Sequence, residues 1–226
     1  MTTGPSSGKN GASGYIPPLR YHILTRFYDP IVRLTTRESV FKRALLAQVT
    51  AVRPRSVLDL GCGTGTLTIA LAKSCTFASV TGLDADAQAL AIAQDKARRS
   101  GALVRFERGF SSSMPFPDGY FDRVVSSLFF HHLTPGEKAA TLSEVRRVLR
   151  PDGELHIADW GKPANAVMRV AFLAVQLLDG FATTGDSVQG RLPEMIAASG
   201  LTDVLQTTAI NTPLGTMALY KAARRE

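Results

Sequence analysis

Between Val57 and Thr68 the chain reads VLDLGCGTGTLT, and this stretch limits the fold more than any other. Four mostly apolar residues form a short buried strand. Gly61, Gly63 and Gly65 follow, and an apolar run at helical spacing leaves the turn. Glycine can take positive φ and lets a ligand come close to the backbone. A strand, a glycine turn and a helix in that order open an α/β sheet whose ligands bind at the carboxyl ends of its strands. The spacing is G-x-G-x-G. Thr66 stands where the third glycine of a dinucleotide fingerprint would fall, which weakens a dehydrogenase reading. Asp59 precedes the turn by two residues; its carboxylate would repel a pyrophosphate and favour an ammonium or sulfonium group. Asp84 ends the next apolar run, 19 residues after Gly65, where a carboxylate can accept two hydrogen bonds from a ribose diol. Together these residues suit a cationic nucleoside with a free diol.

The rest of the chain repeats the strand–helix rhythm. Strands are predicted at 56–60, 79–84, 104–109, 122–127 and 154–159, with helices at 66–73, 85–100 and 136–149 between them. Pro115, Pro117 and Asp118-Gly119 supply turn chemistry in the 111–121 loop. This alternation predicts a doubly wound, mostly parallel sheet with helices on both faces. After Trp160 the pattern changes. An inserted apolar helix is expected at 164–180, within an insertion spanning 161–190, and another helix at 191–199. Strands at 202–210 and 214–222, joined across Thr212-Pro213, are close enough in sequence to pair antiparallel at the sheet edge.

At the other end, MTTGPSSGKNGASG has no apolar core, so residues 1–14 read as a disordered tail and not a signal peptide. Residues 15–226 then form one domain. Its first part, 15–52, is a helical lid with helices at 19–36, broken near Asp29-Pro30, and at 38–51, where Val40, Leu45, Leu46 and Val49 share a face. Of the net charge of +7, all falls within residues 1–55, which hold nine basic and two acidic side chains. That excess fits a solvated basic face, or a face meeting an anionic substrate, lipid headgroup or nucleic acid. The basic residues are scattered, so no nucleic-acid partner is expected; a peripheral membrane contact fits the charge. Two cysteines, Cys62 and Cys75, exclude a disulfide framework and a zinc site built on cysteine pairs. Reduced thiols without a leader predict a cytoplasmic chain, and no metal is expected.

VLDLGCGTG, MPFPDGYFDRVVSSLFFHHL and EVRRVLRPDGELHIADW occur in the order found in class I S-adenosylmethionine-dependent methyltransferases, and residues 38–160 resemble that family. Within it the chain is similar to small-molecule enzymes related to ubiquinone and menaquinone biosynthesis. The resemblance implies a Rossmann-like, seven-stranded sheet. It also implies a cofactor site drawn from Asp59, Gly61, Cys62, Gly63, Gly65, Asp84, Ala85, Phe110, Ser111 and Ser126. In relatives the acid matching Asp59 meets the methionine amino group and the acid matching Asp84 the ribose. Phe110 stands where relatives carry an aspartate that binds the adenine amine, so a nearby serine or carbonyl must replace it.

On the acceptor side, His131 and His132 follow the fourth strand. They fit either a packing and capping role or that of a base taking a proton from an acceptor hydroxyl. Adjacent residues face different ways, so one of them at most is catalytic. Tyr21 and Tyr28, with His22, fit a core face or a lid. Phe130, Asp159 and Trp160 are candidate acceptor contacts. Phe172, Val175 and Leu178 on the inserted helix fit core or pocket. The apolar helix and the aromatic lid favour a fairly hydrophobic small acceptor such as a quinol, phenol or lipid. A nucleic-acid methyltransferase and a non-catalytic cofactor-binding module are the alternatives. The first is disfavoured by Ser126-Ser127-Leu128-Phe129, which replaces the Asp/Asn-Pro-Pro-aromatic motif of base-modifying enzymes.

Overall fold

The computed structural model describes residues 37–226. The expected tail at 1–14, the helix at 19–36 and the positions of Tyr21, His22 and Tyr28 lie outside the described residues. The first described helix, α1 (Glu38–Thr50), buries Phe41, Leu45 and Val49, four residues apart along one face. Leu45 and Val49 lie on the buried face as expected, and only the first position differs. Phe41 takes the core-facing place, while Val40 and Leu46 flank it half-buried.

The alternating pattern continues as β1 (Ser56–Leu60), α2 (Thr66–Ser74), β2 (Ser79–Asp84), α3 (Ala87–Ser100), β3 (Arg105–Arg108), β4 (Phe121–Ser127), α4 (Pro135–Val148) and β5 (Leu149–Trp160). Next come α5 (Ala166–Asp179), α6 (Phe181–Gln189), α7 (Leu192–Ala198), β6 (Thr202–Thr212) and β7 (Gly215–Ala223). The strands lie in the order β3-β2-β1-β4-β5-β7-β6. The first five are parallel, and β7 runs antiparallel to both β5 and β6. The sequence thus predicted the mostly parallel seven-stranded sheet and its antiparallel closing pair.

Every residue of β1 is buried, as a central parallel strand covered on both faces requires. Alternate residues feed two cores. Leu58 and Leu60 join Leu142, Val145 and Val148 of α4 and Leu192 and Ile196 of α7. Val57 joins Phe41 and Leu45 of α1, Leu67 and Leu71 of α2, and Phe172 and Val175 of α5.

Most boundaries shift by one or two residues, and three of the differences have a clear local reason. Helix α3 starts at Ala87 because Asp86 caps it, accepting hydrogen bonds from the Gln88 and Ala89 amides at 2.8 and 3.3 Å. Strand β5 begins at Leu149, five residues early, because Leu149 already pairs with Phe121 before the Pro151-Asp152-Gly153 irregularity. The inserted helix ends at Gly180, whose φ of 95° turns the chain into a separate α6. On α5, Phe172 and Val175 are core, whereas Leu178 is 83% exposed and no part of it.

Candidate active site

Sheet order reverses between β1 and β4, and the glycine loop and the segment after β4 meet at the carboxyl ends of these strands. The loop is held against β2: the Gly61 and Cys62 amides donate to the Leu83 carbonyl at 2.9 and 3.1 Å. Asp84 finishes the clamp. One carboxylate oxygen accepts from the Gly63 amide at 2.7 Å and the other from the Asp86 amide at 2.9 Å. At Gly63, φ is +50° and a Cβ would meet nothing within 4 Å, so the loop leaves open space above this residue. Gly65, at φ +75°, is different: a Cβ there would lie 2.8 Å from the Ala93 Cβ of α3. Gly63 faces the cradle and Gly65 is a packing contact.

Beneath the loop, Asp59 is buried and accepts a hydrogen bond from the Thr68 hydroxyl at 2.6 Å. Burial pushes its pKa up from 3.8 to about 6, against the Thr68 hydrogen bond and the Lys42 ammonium, which pull it down. Burial also raises Asp84, against its backbone hydrogen bonds. The Cys62 thiol is pushed up by burial and by these two carboxylates, so it stays protonated and inert. Two buried acids under a glycine cradle fit a ligand that brings a positive charge and a diol, and disfavour one that brings phosphates.

The remaining cofactor-side candidates fall in different places. Ala85 follows Asp84, and its carbonyl accepts from the Arg108 guanidinium at 3.2 Å. The Gly109 amide donates to the Asp84 carbonyl at 3.0 Å, placing the turn after β3 beside Asp84. Phe110, next along that turn, is 56% exposed. The Ser111 hydroxyl is shared with that of Thr141 on α4 at 2.8 Å. Ser126 is fully buried and donates to the Leu60 carbonyl at 2.9 Å, so its hydroxyl ties β4 to β1 and does not reach the cleft. Thr68, which sequence reasoning missed, carries no recognisable motif; only the fold shows it over Asp59.

Opposite the loop, the chain leaves β4 through a 3-10 turn, Phe130–His132. Asp159, buried near the end of β5, organises that turn. One of its oxygens accepts from the Phe129 and His131 amides at 3.1 and 3.3 Å. The other accepts from the His131 ring Nδ1 and the Trp160 amide, both at 2.7 Å. Because a carboxylate only accepts, Nδ1 carries the proton and the lone pair of a neutral His131 ring lies on Nε2. Burial alone would lower the His131 pKa; the charge and hydrogen bond of Asp159, with Asp179 beyond, outweigh it and raise it. His132 is driven down to about 3 by burial and by its neighbour, and stays neutral. Their protonation differs, but contrary to expectation the two rings do not face apart: the 3-10 turn brings their centroids to 3.9 Å, and each has a ring nitrogen 3.7 Å from Asp179.

Two acceptor candidates sit deeper than expected. Phe130 is 1% exposed and packs in the core under α4, because the 3-10 turn rotates it inward; Phe129 instead lies against Gly61. Trp160 is buried edge-on against Phe172 of α5, with ring centroids 5.4 Å apart, and serves as core. Asp179, at the end of α5, was missed. It is the one acid in the 164–180 run, a signal that could have drawn attention to it.

An open α/β fold with a glycine cradle, two acids beneath it and a polar turn across the switch point defines a nucleoside-binding enzyme of the methyl-transfer type. Residues 57–153 match the methyltransferase domain family. The demethylmenaquinone methyltransferase of Thermus thermophilus is 35% identical over 184 residues, covering 79% of this chain and 80% of that protein. The demethylmenaquinone methyltransferase of Deinococcus radiodurans is 32% identical, covering 70% and 67%. The structure of the YcgJ protein from Bacillus subtilis superposes with a TM-score of 0.65 at 20% identity, over 81% of this chain and 99% of that one. The chain belongs to the class I S-adenosylmethionine-dependent methyltransferases, in the group related to quinone biosynthesis. It is a methyltransferase enzyme, and S-adenosylmethionine is its cofactor.

The raised pKa of Asp59 gives a test of the cofactor half. The group is protonated in the free protein below about pH 6, and if it is the partner of the ligand's ammonium group it has to ionise on binding. Cofactor affinity is expected to fall roughly tenfold between about pH 7 and about pH 5, with proton release on binding in that window. Without ligand the sign is opposite. The unfolded chain ionises first, so this group's contribution to stability declines as pH rises from 3.8 to about 6. Calorimetry in buffers of different ionisation enthalpy checks the first; a flat affinity from pH 5 to 7 removes Asp59 from the site.

Proposed function

We propose that the enzyme methylates a small, fairly hydrophobic acceptor bearing an aromatic hydroxyl, of the quinol or phenol class. The observation that carries this is His131, a buried imidazole whose Nδ1 is fixed by the buried Asp159, so that the lone pair of the neutral ring lies on Nε2, 3.7 Å from an Asp179 oxygen. The names of the relatives, demethylmenaquinone methyltransferases, support the same acceptor class.

S-adenosylmethionine, when bound, supplies a methyl group on a sulfonium sulfur and leaves as a neutral thioether. The chain's own work is placement and proton handling. Gly63 brings the backbone close to the cofactor, Gly61 and Gly65 shape the turn by packing against Phe129 and Ala93, Asp84 takes the diol, and Asp59 meets the amino group. Cys62, Ala85, Phe110 and Ser111 line the same half. Across the cleft, Nε2 of His131 receives the hydroxyl proton, which raises electron density on the acceptor's oxygen and ring carbons. Asp159 offsets the charge that His131 gains. Alignment and exclusion of water do the remainder. His132, held neutral, is not the base. Tyr21 and Tyr28 remain lid candidates.

Incubating the enzyme with cofactor and a panel of quinols and phenols is expected to yield S-adenosylhomocysteine. His131→Gln should lower turnover by about 10²–10⁴-fold while cofactor affinity stays within about twofold. Equal turnover in the variant removes the base. Product formation with RNA or DNA only would favour the nucleic-acid alternative, and cofactor binding without turnover on any acceptor the binding-module one. A cytoplasmic location belongs to the same proposal, as does a peripheral membrane contact. No helix among the described residues is long and apolar enough to cross a membrane.

A further inference from the structure

Beyond the base, three potential ligand atoms converge at the edge of the acceptor cleft. His131 Nε2 lies 3.7 Å from one Asp179 oxygen, and His132 Nδ1 lies 3.7 Å from the other. One ligand atom from each of the three residues falls within 4.8 Å of the other two. Bonds of about 2.0–2.2 Å to a common ion require ligand atoms roughly 3 to 3.5 Å apart, so small side-chain adjustments close the set. Three features show a built arrangement. First, Asp159 holds the outer nitrogen of His131 at 2.7 Å, which is how a second carboxylate orients a metal-binding imidazole. Second, the Asp179 carboxylate is three-quarters buried and makes no hydrogen bond to the described residues; its neighbours are the two imidazoles. Third, His132 and Asp179 each keep 21% of the side chain exposed, so the site has an entrance from solvent.

We propose that His131, His132 and Asp179 bind a divalent transition-metal ion of the zinc or cobalt class, and that this ion switches the enzyme off. Two imidazoles and one carboxylate favour zinc, cobalt or nickel over magnesium or calcium, which prefer all-oxygen sites. Three protein ligands leave a coordination position for water. The inhibitory sign rests on the function proposed above. The lone pair of Nε2 can accept a proton or coordinate an ion, not both. Any proton on Nε2 is lost to solvent when the ion binds, no oxidation state changes, and the acceptor loses its base. The site departs from the sequence-based expectation of no metal, which considered cysteine pairs and could not bring Asp179 to the histidines.

Cobalt(II) added to the metal-stripped full chain provides a direct reading through its visible ligand-field bands. One equivalent is expected to bind, with zinc displacing it. His132→Ala and Asp179→Asn, at part-exposed positions that leave the core intact, should each weaken cobalt binding by about 10–100-fold. S-adenosylhomocysteine binding, measured on the same samples, should be unchanged. Zinc should inhibit turnover competitively with the acceptor, and Asp179→Asn should raise the required zinc concentration at least about tenfold. Absence of cobalt bands in the wild type, or equal cobalt affinity in both variants, overturns the site. Cobalt bound at the site without effect on turnover overturns the inhibitory role. A chain that binds cobalt at these residues and S-adenosylhomocysteine in its cradle, but methylates no quinol or phenol, counts against the proposed function and leaves the metal assignment standing.

Discussion

Replacing Asp84 by alanine is expected to weaken S-adenosylmethionine binding by about 2–3 kcal/mol, roughly 30- to 150-fold, in titration calorimetry. Two losses add. The ribose loses a charged acceptor, and the Gly63 amide loses the carboxylate that holds the loop at 2.7 Å. Asp84→Asn separates them: its amide oxygen can still take the Gly63 hydrogen bond, so the loop stays while the charge goes. Asparagine should therefore fall between wild type and alanine. Folding stability should change little, because burial already raises the Asp84 pKa and its ionised form is costly there. Alanine binding as well as the wild type would remove Asp84 from the ribose.

Gly63→Val should abolish detectable cofactor binding while the protein still folds. At φ +50° a branched residue carries strain of about 1–2 kcal/mol. Its side chain would project into space that no other atom occupies within 4 Å. The strain shows as a modest loss of thermal stability, and the filled cradle as loss of binding. Gly65→Ala is the contrasting control. Its Cβ would press on Ala93 at 2.8 Å and on the Phe106 ring at 3.2 Å, pushing α3 from the sheet, so stability should suffer first. If Gly63→Val binds normally, the turn is a corner and not a cradle.

Chain distance explains why the sequence could group the residues proposed for the cofactor and could not group those of the acceptor side. Asp59, Gly61, Gly63 and Gly65 lie within seven residues, and strand, turn and helix geometry alone brings them together. Asp84 adds a single strand tip in register with β1. The acceptor side is assembled from separate segments. His131 comes after β4, Asp159 from β5, and Asp179 from the end of an inserted helix, and only the packing of α5 on the sheet unites them. Short-range errors had equally local causes. Ser126 sits one residue before the exit of β4, and there its hydroxyl finds the Leu60 carbonyl and not a ligand. Phe130 and Phe129 were indistinguishable in a run of apolar residues, until a single 3-10 turn sent one to the core and the other to Gly61. Val40 lost its place to Phe41 through a one-residue shift in a helix whose apolar stripe is broad.

The position of β7 has a consequence for biogenesis. It follows every other strand in sequence, yet it lies between β5 and β6. Met217, Leu219 and Tyr220 on it supply both cores. The sheet therefore cannot be completed in the order in which it is synthesised. Until Gly215–Ala223 is available, β5 presents a long unpaired edge and the two cores stay open along one side. An unpaired apolar edge is a template for pairing with other chains. A nascent or truncated chain that stops before this strand should depend on chaperones and tend to aggregate, even though the whole glycine cradle has already been made.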